Sequence, residues 1–491
     1  MLLLIAAFPA LVFSNGRSPV GVAAWVGPVL LLRYLRLHRG WRPVALATLV
    51  LGGATAVQCW SALGPMKGPR VVLGGPLLGV LLLAPYLVDR LLAPRVRGFA
   101  STLVLPTAWV TSDLLVSLLV ADVGFIGYSQ VDEPRLLQLA SVTGVFGLTF
   151  LVAWWAAAVN WAWEHGFRWR EIRGGALTLG AVLAAVELLG AVRLHEVPGP
   201  EARRVRVAGL RIDANEAAPA ARALHHPEAT KDAEAIERAR KATRALNARL
   251  LARTGQLAEQ GAKIIGWSEV NGHVLADDEP ALLDEAGRLA RAHGVHLVLA
   301  LAVFTPGQER LENVAAIIGP DGRVKARYLK SFLSPGEPSV PGNGQLPLVH
   351  SAEGLRLSSA ICADFSNHWL LGQAGRARAD LVVGPASEWA GITPINTHMA
   401  RFRAVEGGFS LLKPARGGLS AIVDPAGRVL ASAEPSREPE QVLAADVPME
   451  GVPTLYARIG DTFAFACAAG LGVLALLAWR TRRAPATSRS G

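Results

Sequence analysis

The chain has 491 residues, room for two or three domains, and is 51% apolar but only 18% charged, against roughly 25% charged in a typical soluble domain. Its formal charge of +10 lies largely in arginines between apolar runs; no basic stripe interleaved with aromatics appears, which argues against nucleic acid and for anionic lipid headgroups. Three cysteines exclude a disulfide framework.

The apolar excess is concentrated before about residue 195 and after about residue 458, the pattern of a membrane protein carrying a soluble block. A helix crossing ~30 Å of hydrocarbon at ~1.5 Å per residue needs about 20 apolar residues. Such spans are predicted at about 18–35, 43–63, 71–90, 99–120, 138–163 and 174–194, with one more at 459–479. The first apolar run, Met1 to Ser14, is short and lacks the basic n-region of a signal peptide. If it crosses, seven spans precede the soluble block and one follows it. Cys59 and Cys467 fall inside spans and read as small buried hydrophobes. Asp113 and Glu187 are acids within spans, where each needs an internal partner or a wet cavity; Glu187 is placed near the outer end, beside Arg193.

Arg33, Arg36, Arg39 and Arg42 form one rich cluster, and Arg90, Arg95 and Arg97 a second. Arg168, Arg170 and Arg173 form a third, and Arg480, Arg482 and Arg483 the last. Alternate loops hold only scattered charges such as Arg17, Lys67, Arg70 and Arg135. The positive-inside rule makes the four clusters cytoplasmic. Chain parity then puts everything between Leu194 and Gly460 on the outer face.

From about residue 204, short apolar or β-branched runs alternate with helical patterns. Strands are predicted at Val205–Ile212, Ala262–Trp267, Val295–Val303, Glu312–Ile318, Arg323–Tyr328, Leu355–Ile361, Leu381–Gly384, Phe409–Lys413, Leu419–Val423 and Arg428–Ala431. Helices are predicted at Ala235–Gln260, Pro280–His293 and Asn396–Gly407. Pro320-Asp321-Gly322 is a hairpin turn signal. His225-His226 lies in a polar Ala/Pro-rich loop and reads as solvated; no His/Cys cluster has metal-site spacing. The fold class is therefore a polytopic helical membrane domain over 1–195, a layered α-β-β-α sandwich over 204–450, a C-terminal transmembrane helix over 459–479 and a basic cytoplasmic tail over 480–491.

Glu269, Lys330 and Cys362 each end one of the short apolar runs in the soluble block, so they can meet at one sheet edge. A thiolate attacks ester or amide carbonyls but needs a base for its proton; Glu269 is the candidate. Lys330 and the backbone N–H of Ala363 would stabilise the oxyanion of the tetrahedral intermediate.

Trp267-Ser268-Glu269 surrounds the acid. Tyr328-Leu329-Lys330 precedes Pro335-Gly336-Glu337, and Ile361-Cys362-Ala363-Asp364 surrounds the thiol. Met399-Ala400-Arg401-Phe402-Arg403-Ala404-Val405-Glu406, Ser420-Ala421-Ile422-Val423-Asp424-Pro425 and Gly127-Tyr128-Ser129-Gln130 complete a set that resembles the nitrilase superfamily, and within it the membrane-bound apolipoprotein N-acyltransferases, over nearly the whole chain. The resemblance implies that Cys362 takes an acyl chain from a phospholipid as a thioester. The free α-amine of a diacylglyceryl-cysteine lipoprotein then accepts it. Glu269 would be base and proton shuttle, and Glu337 would hold or polarise Lys330. Tyr328, Ala363, Asp364 and Trp389 would be supporting residues, with no cofactor or metal, in the inner membrane of a bacterium. The chain departs from the family pattern at Ala363-Asp364 (usually Tyr-Glu) and Ser387-Glu388-Trp389 (usually Asn-Asp-x-Trp). It departs again at Asp113 (usually Glu), at Val116 (usually Arg) and at Pro414-Ala415-Arg416-Gly417 (usually a Thr/Asn-containing run). Those near the thiol motivate a rival reading, a membrane-tethered carbon–nitrogen hydrolase in which water takes the acyl group.

Overall fold

The computed structural model describes residues 1–14, 18–59, 69–122, 124–199, 201–212, 214–225, 232–351, 354–389, 391–435 and 440–483. Two compact units are present: Met1–Val192 together with Ile459–Gly491, and Arg193–Arg458.

The first unit is helical. Its long helices are Leu2–Val12, Gly21–Leu37, Trp41–Cys59, Pro69–Leu92, Val104–Leu119, Val145–Glu164, Trp169–Glu196 and Thr462–Arg483. Among the described residues, four stretches are long and apolar enough to cross a membrane: Gly98–Leu119, Val145–Glu164, Trp169–Glu196 and Thr462–Arg480. Leu2–Val12 has only 11 residues, too few to span. The expected span 43–63 ends at Cys59 in the described helix; residues 60–63, Arg17, Lys67 and 484–491 of the expected tail lie outside the described residues.

The expected span 138–163 is broken. Ala140–Thr143 is a separate turn, and Gly144, at φ 66° and ψ −172°, interrupts the helix before Val145. Acids in this unit have partners. Asp89, fully buried, receives two hydrogen bonds from the Arg36 guanidinium at 2.9 and 3.0 Å. Asp113 accepts from the Thr149 hydroxyl at 3.2 Å. Glu187 pairs with Arg135 at 3.7 Å, not with Arg193 as expected. Six residues along a helix turn through roughly 240°, so Glu187 and Arg193 point in different directions. Arg135 approaches so closely that a Cβ on Gly190 would lie 2.2 Å from its carbonyl oxygen.

The second unit is a layered α/β domain of the nitrilase type. Its strands are β1 (Arg204–Ile212), β2 (Ile264–Trp267), β3 (Gly272–Leu275), β4 (His296–Phe304), β5 (Glu312–Ile318), β6 (Val324–Leu329), β7 (Val349–His350), β8 (Arg356–Ser359), β9 (Leu381–Val383), β10 (Ala386–Ser387), β11 (Ser410–Lys413), β12 (Ala415–Arg416), β13 (Ser420–Val423), β14 (Val429–Ala433) and β15 (Glu440–Pro448). One sheet runs β15-β1-β2-β4-β5-β6, with β3 also on β4, a second runs β14-β13-β11-β9-β8-β7, and β10 and β12 form a separate parallel pair. The two larger sheets mix parallel and antiparallel neighbours.

Side-chain alternation builds the layers. Ala208, Leu210, Ile265 and Leu297 pack with Leu246, Leu250 and Ala286 of the helices Ala233–Glu259 and Glu279–His293. Their strand neighbours Val207, Ile264 and Val298 point the other way, onto Leu357, Leu381, Val383, Leu412 and Ile422 of the second sheet. That sheet's outer face is covered by the helices His368–Arg376 and Thr393–Gly407. The sheets approach closely at β2, where a Cβ on Gly266 would lie 2.7 Å from Val383 Cγ1.

Several elements differ from expectation. The loop expected around His225 is a helix from Ala214 to His225; His226 lies outside the described residues. The helix His368–Arg376 and the strands β3 and β15 were not anticipated. Cys467 is buried, with no disulfide.

Candidate active site

Each of the three reactive side chains is presented from just beyond a strand. Glu269 follows β2 by two residues, and its N–H reaches the Ala386 carbonyl of β10 at 3.3 Å. Lys330 follows β6 directly, with its N–H bonded to the Asn313 carbonyl at 2.9 Å. Cys362 opens a 3-10 turn, Cys362–Ser366, beyond β8. Its φ of +46° is in the left-handed region that L residues adopt at a cost, and its N–H is held by the Pro385 carbonyl at 2.8 Å. All three side chains are buried.

The Lys330 ammonium donates to Glu269 Oε1 at 2.8 Å and to Glu337 Oε2 at 2.7 Å. Asn313 on β5 bridges the same two carboxylates, donating at 2.8 Å to Glu269 and 3.2 Å to Glu337. Glu337 also accepts from the Ser334 N–H and the Ser339 hydroxyl. A buried ammonium is tolerated only when paired and hydrogen-bonded; two carboxylates meet that condition. Burial opposes the charge on Lys330, but Glu269, the Cys362 sulfur and Glu337 outweigh it and hold its pKa above the ordinary lysine value. Burial likewise opposes the charge on Glu337, yet Lys330 and the surrounding donors hold its pKa below the ordinary value. The second oxygen of Glu269, Oε2, is buried and has no hydrogen-bond partner among the described residues. An acceptor is thus left open.

Cys362 Sγ lies 3.6 Å from the Ser387 carbonyl oxygen and 3.6 Å from the Asn396 amide nitrogen. Burial and the negative charge of Glu269 push its pKa up, with Lys330 opposing them. At neutral pH the group is a thiol, so attack on a carbonyl requires a base in the same step.

Asp364 accepts four hydrogen bonds, from the N–H groups of Ser331, Phe332 and Ile361 and from the Tyr328 hydroxyl. It ties the segment after Lys330 to the turn bearing Cys362. Ala363 is the second residue of that turn, where amides have no carbonyl partner within the helix. Trp389 is half-buried, and its carbonyl accepts from the Thr393 hydroxyl at 3.0 Å. Glu388 forms a fully buried ion pair with Lys413, which also donates to the Thr397 hydroxyl at 3.0 Å.

Asn313, Asn396 and Lys413 were not anticipated. Asn313 has a signal in hindsight: a lone amide inside the apolar strand Glu312–Ile318, buried where it must find partners. Asn396 and Lys413 have none in the sequence.

A model of the carbon-nitrogen hydrolase family matches residues 220–455. A model of the apolipoprotein N-acyltransferase N-terminal domain matches residues 2–158. The apolipoprotein N-acyltransferase of Geobacter metallireducens is 28% identical over 432 residues, covering 81% of this chain and 77% of that protein. That of Bradyrhizobium diazoefficiens is 26% identical over 439 residues, covering 80% and 76%. The chain joins an apolipoprotein N-acyltransferase N-terminal domain to a carbon-nitrogen hydrolase domain. The apolipoprotein N-acyltransferase of Methylococcus capsulatus, another relative, is 28% identical over 416 residues, covering 79% of this chain and 76% of the relative. Among solved structures, an amidase from Nesterenkonia sp. is 24% identical, covering 50% of this chain and 91% of its own, with a TM-score of 0.39. By the family models and the curated relatives, the chain is an enzyme of the carbon-nitrogen hydrolase superfamily, with helices long and apolar enough to cross a membrane.

Proposed function

We propose that this enzyme N-acylates lipoproteins at the surface of the bacterial inner membrane, in two half-reactions that share one cysteine. In the first, Glu269 takes the Cys362 proton as sulfur attacks a phospholipid ester carbonyl. Lys330 and the Ala363 N–H stabilise the tetrahedral oxyanion. The C–O bond then breaks, Glu269 returns the proton to the departing alkoxide, and lysophospholipid leaves a thioester on Cys362. In the second, the neutral α-amine of a diacylglyceryl-cysteine lipoprotein attacks that thioester, Glu269 takes a proton from nitrogen, and the C–S bond breaks. The sulfur is reprotonated, so atoms and charge balance over the cycle. Glu337 and Asn313 keep Lys330 charged and Glu269 oriented throughout.

The observation that carries this reading is the open Glu269 Oε2 beside a protonated buried thiol. The four arginine-rich loops support an outer-face position for the catalytic unit, where both greasy substrates would diffuse laterally into the site. Ala363, where the resemblance implies Tyr, favours a second reading in which water replaces the amine and the enzyme is an amidase.

Mass spectrometry of the Cys362 peptide after incubation with phospholipid tests the first half-reaction. A fatty-acyl mass is expected on the parent and none on Cys362→Ala or Lys330→Ala. Acylation in either variant overturns the mechanism. Turnover of small amides without any lipid-derived adduct selects the amidase reading instead. Thiol labelling of the catalytic unit from the cytoplasmic side would overturn the orientation.

A further inference from the structure

Beside the first turns of the helix Leu455–Ile459 is an open cavity of about 310 Å³ in the catalytic unit, bordered by Arg376, Arg378 and Arg458 with Thr454 and Ala457. No acidic residue borders it. All three guanidinium groups are exposed, and among the described residues none has an ion-pair partner. By contrast, nearby Arg356 is neutralised by Asp380 at 2.7 Å. Arg378 stands at φ +55°, just past the end of the helix His368–Arg376, where its N–H bonds the Gly375 carbonyl. Glycine takes this helix-ending position without strain. An arginine here carries a backbone cost that a side-chain role would offset.

Exposed residues on the two helices that carry these arginines suit a membrane–water boundary. Trp369, 47% exposed, lies two helical turns before Arg376 on the same face. Leu455 and Ile459 are 47% and 42% exposed, one turn apart, with Arg458 beside them. Tryptophan at the headgroup level and arginines reaching toward phosphate from an apolar stem are the residues that suit that boundary. Arg458 also lies four residues ahead of Thr462, where the C-terminal apolar helix starts, so a short stretch of chain separates it from a candidate membrane span.

We propose that this cavity binds the phosphate of an anionic phospholipid headgroup, seating the catalytic unit on the leaflet it faces. The lipid held here is not the acyl donor, and the binding is independent of the chemistry at Cys362. Three unneutralised cations around one cavity select a net negative headgroup over a zwitterionic one.

The test uses the full chain, purified with mixed phosphatidylglycerol and phosphatidylcholine, and reads retained lipid by native mass spectrometry. The variants are Arg378→Gly and the double change Arg376→Ala/Arg458→Ala. Retention of phosphatidylglycerol over phosphatidylcholine is expected in the parent, with affinity falling about fivefold for each arginine removed, the weight of one basic residue at an anionic surface. Arg378→Gly relieves the left-handed backbone, so its Tm is expected to rise while lipid retention falls, which separates lost binding from lost folding. Acylation of Cys362 from a detergent-dispersed donor is expected to be unchanged. Equal retention of the two lipids by the parent overturns the proposal, as does undiminished phosphatidylglycerol retention in both variants. Displacement of phosphatidylglycerol by equimolar inorganic phosphate overturns it in favour of a free anion. Capture of an acidic protein in place of lipid overturns it too.

Discussion

The Tyr328 hydroxyl donates to Asp364 Oδ2 at 2.8 Å, joining the strand that leads to Lys330 with the turn that carries Cys362. Burial raises the Asp364 pKa from 3.8 to about 6. Above that pH the carboxylate accepts from four donors; below it, the neutral carboxyl holds the three N–H groups more weakly and the Tyr328 hydroxyl must turn to Ser331 and accept instead. Activity is therefore expected to be full above about pH 6 and to fall as pH drops through it. Stability has the opposite sign. A folded pKa above the unfolded one favours the native state below about pH 4, and that contribution is lost as pH rises through about 6. Asp364→Asn should abolish both dependences. An unchanged acid limb in that variant would refute the assignment.

Asn313 holds Glu269 and Glu337 through one amide. Hydrogen bonds to charged groups contribute about 1.5–3 kcal/mol each, so Asn313→Leu should slow single-turnover acylation of Cys362 by roughly 10- to 100-fold. Asn313→Asp should be worse, since it adds a like charge to two carboxylates. Parent-like rates in Asn313→Asp would remove Asn313 from the machinery.

The Glu388–Lys413 pair has no exposed side-chain surface. Removing one partner strands a buried charge at a cost of about 3–5 kcal/mol, whereas replacing both with apolar groups is often nearly neutral. Chemical denaturation should show Glu388→Leu and Lys413→Met each strongly destabilised. Their combination should be milder than either, and additive losses would contradict an ion pair.

Gly266 marks a close approach of the two sheets. With Val383 Cγ1 2.7 Å from any added Cβ, Gly266→Ala forces the layers apart, at about 1–3 kcal/mol for overpacking. Glu269 lies three residues on, so the variant should also lose acylation rate in excess of its loss of folded protein. A Tm within a degree of the parent would show that the interface gives way freely.

Much of this arrangement is legible in the sequence because each candidate group follows a short stretch ending in apolar residues: Ile264–Trp267 before Glu269, Tyr328-Leu329 before Lys330 and Ala360-Ile361 before Cys362. What escaped is non-local or locally weak. β15 closes its sheet by pairing over nine positions with β1, more than two hundred residues earlier, and its own residues show no clear alternation. The helix His368–Arg376 contains Gly372 and Gly375, which weaken its local signal; Gly375 is required because Gly407 Cα lies 3.0 Å from where its Cβ would be. Asn396 touches sulfur only because the helix Thr393–Gly407 crosses above Cys362. Nothing in spacing encodes that.

The buried, protonated state of the Cys362 sulfur has a consequence for durability. Oxidants and disulfides react with thiolates rather than thiols, and in the proposed reaction this sulfur ionises only as a carbonyl arrives. On that reading an idle molecule would keep its thiol reduced without any repair partner.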